Sequence, residues 1–446
     1  MRGRTRSGWA ALAAIAALLL SVCHWSCRKP LSGPYLDAAL KAGAWLRANA
    51  IPGPEGLAWP AVPADPKAVA LDLYSGVPGV VLFELNAYYA TGQAAFLEDA
   101  RSGADYLLSK AGEIQGPGLY EGLSGIGFAL EETFKAGKDP KYRQGFIDIL
   151  ERVASSAKDA GRGVEWGPTT DIISGSAGTG LFLIYGFHET GAWHWLDLAA
   201  RAGTRLIDLG RPENGGLKWA MDSEFPRLMP NFSHGTAGIA YFLAVLYQET
   251  RRREFLDAAL SGANYLLSIA KTDGASCLIF HDEPDNKDLY YLGWCHGPVG
   301  TARLFFLLSR ATGDPRWLEW VRKSANGLLQ SGIPDRETPG FWNNAGICCG
   351  LAGVGEFFLD LYRETGDKAD LAFSERIASR LLAKGTVEDG RMFWVQAEHR
   401  TRPDYLQAQT GYMQGAAGIG SYLFRLAAAG RKAPPRVVFP DTPFNR

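Results

Sequence analysis

The sequence is short of several things. It has only six cysteines in 446 residues, distributed in a way that does not make a disulfide framework. Its net charge is −1, from 46 basic and 47 acidic residues, which removes the electrostatic case for a nucleic-acid partner. It has no long hydrophobic run: the apolar stretch Trp9 to Val22 is short for a bilayer span. What remains is ordinary globular composition, 47% hydrophobic, with ample apolar content for a large core.

Residues 1–30 stand apart. Arg2, Arg4 and Arg6 precede the apolar stretch, and Cys23, Cys27, Arg28, Lys29 and Pro30 follow it. Basic, then apolar, then small is the order of a bacterial-type export signal. The expectation is an exported, extracytoplasmic protein. Leu20-Ser-Val-Cys23 loosely resembles a lipoprotein cleavage box, with Val22 a poor fit, so the N-terminus is expected to attach the chain to a membrane by lipidation or as an uncleaved anchor. The alternative is a cytoplasmic protein whose start codon is misassigned.

Two of the six cysteines lie in that segment. Three more lie in two similar turns, Gly293-Trp-Cys-His-Gly-Pro-Val-Gly300 and Asn344-Ala-Gly-Ile-Cys-Cys-Gly-Leu-Ala-Gly353. The sixth, Cys277, is read as a small apolar residue. Three soft ligands in matching positions, Cys295, Cys348 and Cys349, point to a zinc site. Outside the cytoplasm free thiols would also need a metal to protect them from oxidation.

The same turn recurs seven times. The copies begin at Ser75, Glu121, Ser174, His234, His296, Cys349 and Gln414, each followed by Gly-x-x-Gly, at intervals of 46 to 65 residues. Each leads into a strongly apolar segment, which predicts a buried helix. Most of these segments close on a helix-stop pair such as Thr91-Gly92 or Thr190-Gly191. Amphipathic segments lie between them, with apolar residues at i, i+3, i+4 and i+7; Tyr35 to Ala48 supplies the first. Seven buried and seven amphipathic helices predict one all-α domain from 31 to 446, an α/α toroid with seven inner and seven outer helices. Closing the ring removes exposed ends. The Pro-rich tail after Lys432 is expected to be a strap or a loose end. The residue before each first glycine should project to the ring centre, and it is polar in every copy. Helix capping accounts for Ser75 and Ser174, but not for Cys349 or the two histidines.

These turns, with Trp294-Cys295-His296-Gly297 and Cys348-Cys349-Gly350, resemble the lanthionine synthetase C-like family, whose members close thioether rings in ribosomal peptides or add glutathione to dehydroamino residues. The likeness covers nearly everything after residue 30. It implies an α/α toroid holding one Zn²⁺ through Cys295, Cys348 and Cys349, with a fourth position open to a substrate thiol or water. Many members have Cys-His-Gly where this chain has Cys348-Cys349-Gly350, so a thiolate replaces an imidazole. His234 matches the family's active-site histidine, and Asp171 its acidic residue in the third turn. Arg303 resembles a basic residue of some members. The implied reaction is addition of a cysteine thiol to dehydroalanine or dehydrobutyrine. His234 would protonate the enolate, Asp171 would orient His234 or accept the thiol proton, and Arg303 would steady the enolate charge. The implied partners are a dehydrated peptide or a small thiol, and a separate dehydratase, for which this chain has no room.

Three alternatives stand beside this. One is a zinc-containing peptide-binding protein that has lost the chemistry. Another is a structural zinc with His296 as fourth ligand. The third is a carbohydrate-active toroid using Glu121 and Asp171. The remaining histidines, His188, His194, His281 and His399, are read as incidental, and Tyr412 and His296 are placed near the rim without a role.

Overall fold

The computed structural model describes residues 31–222, 228–431 and 436–444. Residues 1–30, read from sequence as an export segment and holding Cys23 and Cys27, lie outside the described residues. Among those described, no helix is long and apolar enough to cross a membrane.

Fourteen α-helices run through the described residues. In chain order they are α1 (Pro34–Ala48), α2 (Val77–Thr91), α3 (Ala94–Lys110), α4 (Leu123–Gly137), α5 (Pro140–Ser155), α6 (Ser176–Thr190), α7 (Trp193–Leu209), α8 (Thr236–Thr250), α9 (Arg253–Ser268), α10 (Pro298–Thr312), α11 (Arg316–Gln330), α12 (Leu351–Thr365), α13 (Lys368–Lys384) and α14 (Ala416–Ala427). The even-numbered helices are the apolar ones, and they form the inner ring. Each contacts the next, and α14 contacts α2. The odd-numbered helices are amphipathic and pack outside. Each inner helix pairs with the outer helix that follows it, except at the end of the chain. There α14 pairs with α1, so the seventh pair is built from both ends of the sequence. The toroid is therefore closed, as the repeat count predicts.

The glycine turns hold the ring together at one end. Tyr74 N–H donates to the Tyr120 carbonyl, Tyr120 to Ile173, Ile172 to Ser233, Ser233 to Cys295, Cys295 to Cys348, Cys348 to Met413, and Met413 back to Tyr74, all at 2.9–3.2 Å. Seven backbone hydrogen bonds thus make an unbroken belt. No inner helix has a side-chain cap at its N-cap glycine. The helix N–H groups find backbone carbonyls of the preceding loop instead, as when Ala177 donates to Thr170 and Ala352 to Ala345. The polar side chains before the first glycines are thereby freed from capping. The second glycine of each turn is required by close approach, since its φ is ordinary: a Cβ at Gly300 would collide with the Trp294 carbonyl, and one at Gly353 with that of Ile347.

Between helices lie short antiparallel hairpins that periodicity did not reveal. β1–β2 (51–53, 56–58), β3–β4 (158–160, 163–165), β5–β6 (211–213, 216–218) and β7–β8 (386–388, 391–393) each follow an outer helix. Asn214-Gly215 and Asp389-Gly390 turn two of them with positive φ at both residues, the geometry that favours Asn-Gly and Asp-Gly. Each hairpin ends beside a tryptophan whose Nε1 donates to a carbonyl near the end of the helix before it. The pairs are Trp59 to Leu46 (3.0 Å), Trp166 to Val153 (2.7 Å), Trp219 to Leu206 (2.6 Å) and Trp394 to Leu381 (2.9 Å). A fifth hairpin, β9–β10 (395–397, 406–408), carries the loop 398–405.

The C-terminal segment is neither a strap nor a loose end. Residues 437–444, except the half-buried Val438, are buried among the inner helices. Val437 N–H donates to Asn86 of α2, Phe439 packs against Phe128 of α4 and against Tyr120 and Tyr412, and Phe444 packs against Phe306 of α10 and Phe357 of α12. The tail fills the ring interior beneath the belt.

Candidate active site

The belt decides which side chains meet. Cys295 and Cys348 occupy the same position in the fifth and sixth turns, and the Cys295 N–H donates to the Cys348 carbonyl at 3.2 Å. Their side chains therefore point to one place, joined by Cys349. Its Sγ lies 3.3 Å from that of Cys295 and 3.4 Å from that of Cys348. All three donor atoms lie within 4.8 Å of one another, and among the described residues no other such group of three exists.

The donor set fits a zinc ion. Tetrahedral zinc with bonds of about 2.3 Å places its sulfurs roughly 3.8 Å apart, so slight spreading of these three would seat it. Their charge argues likewise. Burial opposes a negative charge on Cys348, but hydrogen bonds from Cys295, Cys349 and Tyr74 and the positive charge of His234 hold it well below the ordinary thiol range. Cys295 is pushed well above that range by burial and by its two neighbours. Cys349 is also raised: its bond with Cys295 favours charge, but its bond to Cys348, burial and the Cys348 charge prevail. A divalent cation held between them would favour the ionised form of all three.

The cysteines open onto a cavity of about 350 Å³, which His234, His281 and His296 also line. His234 Nδ1 lies 2.6 Å from Asp171 Oδ2. The other oxygen of Asp171 accepts the backbone N–H groups of Ser174 and Gly175, each at 2.9 Å. The carboxylate thus stabilises its own turn and holds the imidazole at once. Burial works against a charged His234, yet the bond to Asp171, the Asp171 charge and that of Cys348 outweigh it, and its pKa stands above the ordinary histidine value.

Five of the six site residues named from sequence come together here. Arg303 does not. Its Nη1 donates to the Asp441 carbonyl at 2.9 Å and lies 3.1 Å from Asp441 Oδ2. It sits partway down α10, where it anchors the C-terminal tail, and the guanidinium that lines the cavity is Arg400. Tyr412 likewise lies below the site, against Phe439. His296 does line the cavity, but its nitrogens are not in the three-sulfur group, so the described residues offer three protein ligands, not four.

Two histidines read as incidental prove to belong to the cavity. His281 and His399 both line it. They come from connecting segments, not from the glycine turns, so the repeat did not flag them. His188 pairs with Glu249 on the outside, and His194 is exposed. Cys277 is buried, which pushes its thiol up to about 11 despite Lys323. Glu121 accepts a hydrogen bond from Ser174 Oγ, while Asp171 is committed to His234.

The comparisons agree with the fold. The family model described as "Lanthionine synthetase C-like protein" matches residues 67–440. Among solved structures, one described as nisin cyclase superposes with a TM-score of 0.58 at 18% identity, covering 80% of this chain and 88% of that one. At that identity it shows the shared toroid. An alpha-1,6-mannanase of Salegentibacter sp. HEL1_6, in an inactive variant bound to alpha-1,6-mannotriose, reaches a TM-score of 0.48 at 12% identity over 89% of this chain and 99% of its own, a level that says nothing about chemistry. With most of its length matched, the chain belongs to the lanthionine synthetase C-like family.

Proposed function

We propose that this protein is a zinc-dependent enzyme that adds a cysteine thiol to dehydroalanine or dehydrobutyrine, forming a thioether. The observation that carries the reading is the meeting of three sulfurs and a histidine–aspartate pair in one open cavity. Cys295, Cys348 and Cys349 would hold the zinc. When bound, the ion would favour the thiolate form of a thiol entering the cavity.

The chain's own residues supply the rest. When sulfur bonds to the β-carbon, the double-bond electrons pass to an enolate, and the α-carbon must then gain a proton. His234 is suited to give it: it lines the cavity, and Asp171 favours its protonated form. Because Asp171 is fixed by two backbone N–H groups, the ring is held in one orientation. Arg303 takes no part in this scheme, being occupied with Asp441. The family and the likeness to nisin cyclase favour a dehydrated peptide as substrate, made by a separate dehydratase; a small thiol remains the other source of sulfur.

The test uses purified protein with about one zinc per chain, as a single three-cysteine site requires. Cys349→Ala should empty the site. A dehydroalanine peptide and a thiol should combine faster than background with the wild type, and much more slowly with His234→Gln at full zinc content. Addition at the background rate in zinc-loaded wild type would reject the enzyme and leave a zinc-containing peptide-binding protein.

A further inference from the structure

The end of the inner ring opposite the belt carries an unbalanced set of charges. Arg425, in the last turn of α14, is only 8% exposed and pairs with Glu356 and Asp360 of α12. Arg363, in the last turn of α12, donates from Nη2 to the Arg425 carbonyl at 3.1 Å. Both sit at helix ends whose carbonyls favour a cation. Arg436 belongs to no helix; it lies on the C-terminal tail beside Val437, whose N–H is held by Asn86. Three guanidiniums thus meet two carboxylates. The neighbouring pairs are self-contained, Arg303 with Asp441 and Arg310 with Glu364. Among the described residues this cluster carries one positive charge too many.

The surplus cannot relieve itself by losing a proton. Arg363 and Arg436, both half-buried, are each lowered to about 10, by burial first and then by the charge of Arg425, with Asp360 and Glu356 opposing. Both values stay well above neutrality, so the repulsion persists at neutral pH. Two nitrogens of the cluster, Arg425 Nε and Arg436 Nη2, are buried and have no hydrogen-bond partner among the described residues. Buried donors and charges are costly in that condition.

All three guanidiniums line one small cavity of about 20 Å³, together with Asn86 and Ser421. Among the described residues no carboxylate lines it. A water molecule needs about 10–15 Å³, so there is room for one particle of roughly that size. We propose that this cavity is a binding site for a single monatomic halide ion, chloride in solution, held by Arg363, Arg425 and Arg436. One negative charge cancels the surplus, and the guanidinium N–H groups are the donors such an ion needs. Water fits the volume but leaves the charge uncancelled. The ion bridges α12, α14 and the tail, and so fastens the tail where it enters the ring. The site shares no lining residue with the sulfur cavity, and it does not depend on the thiol-addition reading.

Bromide makes the ion visible. Crystals of the full-length protein are soaked in sodium bromide and anomalous scattering is recorded at the bromine edge. A peak between the three guanidiniums is expected; no peak there overturns the proposal, and no variant is needed to learn it. In solution, the chloride NMR line of sodium chloride should broaden when wild-type protein is added, in a way that saturates with chloride. Arg363→Met should lose the saturable part at equal zinc content, and so should Arg436→Met, which changes the tail and leaves the inner helices intact. Chloride held on zinc or on the surface would broaden the line equally with wild type and variants. That result, even beside a bromide peak, means binding at crystal concentration only and overturns the proposal. Sulfate at matched ionic strength should leave the wild-type broadening in place; its loss would show that a larger oxyanion takes the site and would overturn a monatomic ligand.

Discussion

Replacing Glu84 by glutamine should flatten the dependence of stability on pH. Glu84 lies on the inner helix α2, fully buried, and neither carboxylate oxygen has a hydrogen-bond partner. Burial pushes its pKa well above the usual carboxylate range; Asp99 adds to the rise and Arg47 opposes it. The folded chain therefore keeps a proton that the unfolded chain loses above pH ~4.3. With more protons on the folded side, this contribution is fully present at low pH and is lost as pH rises toward the folded value. Between pH 5.5 and 6.5 the unfolded glutamate is almost wholly ionised, so one pH unit removes about 1.4 kcal/mol. Glutamine cannot ionise and does not lose it. Urea unfolding of both proteins at the two pH values, at constant zinc, gives the double difference directly, and any constant cost of burying the amide cancels. The difference between variant and wild type should move in favour of the variant by about 1.4 kcal/mol. A difference that stays constant with pH would mean that Glu84 is charged in the folded ring, and the reasoning from burial would fail.

Three other outcomes can be checked. Arg303→Met should destabilise by about 3–5 kcal/mol, since it strands the buried Asp441 carboxylate, while the rate of thiol addition per folded molecule stays within twofold; a stable protein without activity would return Arg303 to the chemistry. Gly300→Ala should cost about 4 kcal/mol or more through backbone collision with Trp294 and lower the zinc content by displacing Cys295; a stable variant with full zinc would show that the close approach is not limiting. Because Asp171 raises the pKa of His234, activity should fall on the alkaline side as His234 loses its proton, and Asp171→Asn should shift that limb to lower pH in a pH–rate profile; an unmoved limb would assign it to another group.

Much of the architecture could be read from the chain, because the seven turns repeat in register and close approach demands glycine at each. The three cysteines were legible for the same reason: matching positions in consecutive turns must be neighbours once the ring closes. Asp171 was legible as the residue that orients His234, and the structure adds that its other oxygen ties down the turn before α6 through the Ser174 and Gly175 N–H groups. Arg303 was misplaced because sequence distance hides helical rise. It lies five residues into α10, and at 1.5 Å per residue that carries it about 8 Å below the turn, to the depth of the tail. His281 went unrecognised because it lies on a connection with no repeat to mark it; the adjacent pair His281-Asp282 was its only signal. The hairpins were too short to show a period of two, although the tryptophan that follows each of them recurs 13 residues after the carbonyl it bonds.

The seventh helical pair, drawn from both ends of the chain, sets an order on synthesis. The apolar stripe of α1, with Ala39, Ala42 and Leu46 wholly buried in the finished ring, has to wait for α14 to supply its largest contact. The two are separated by about 380 residues, which a ribosome working at roughly 5–20 residues per second needs on the order of twenty to eighty seconds to make. Throughout that time the helix has only its smaller contacts, with Phe83, Phe96 and Trp59, and lacks the partner that covers most of its stripe. Chaperone demand should therefore concentrate there, and ring closure should be the last event before the protein is whole.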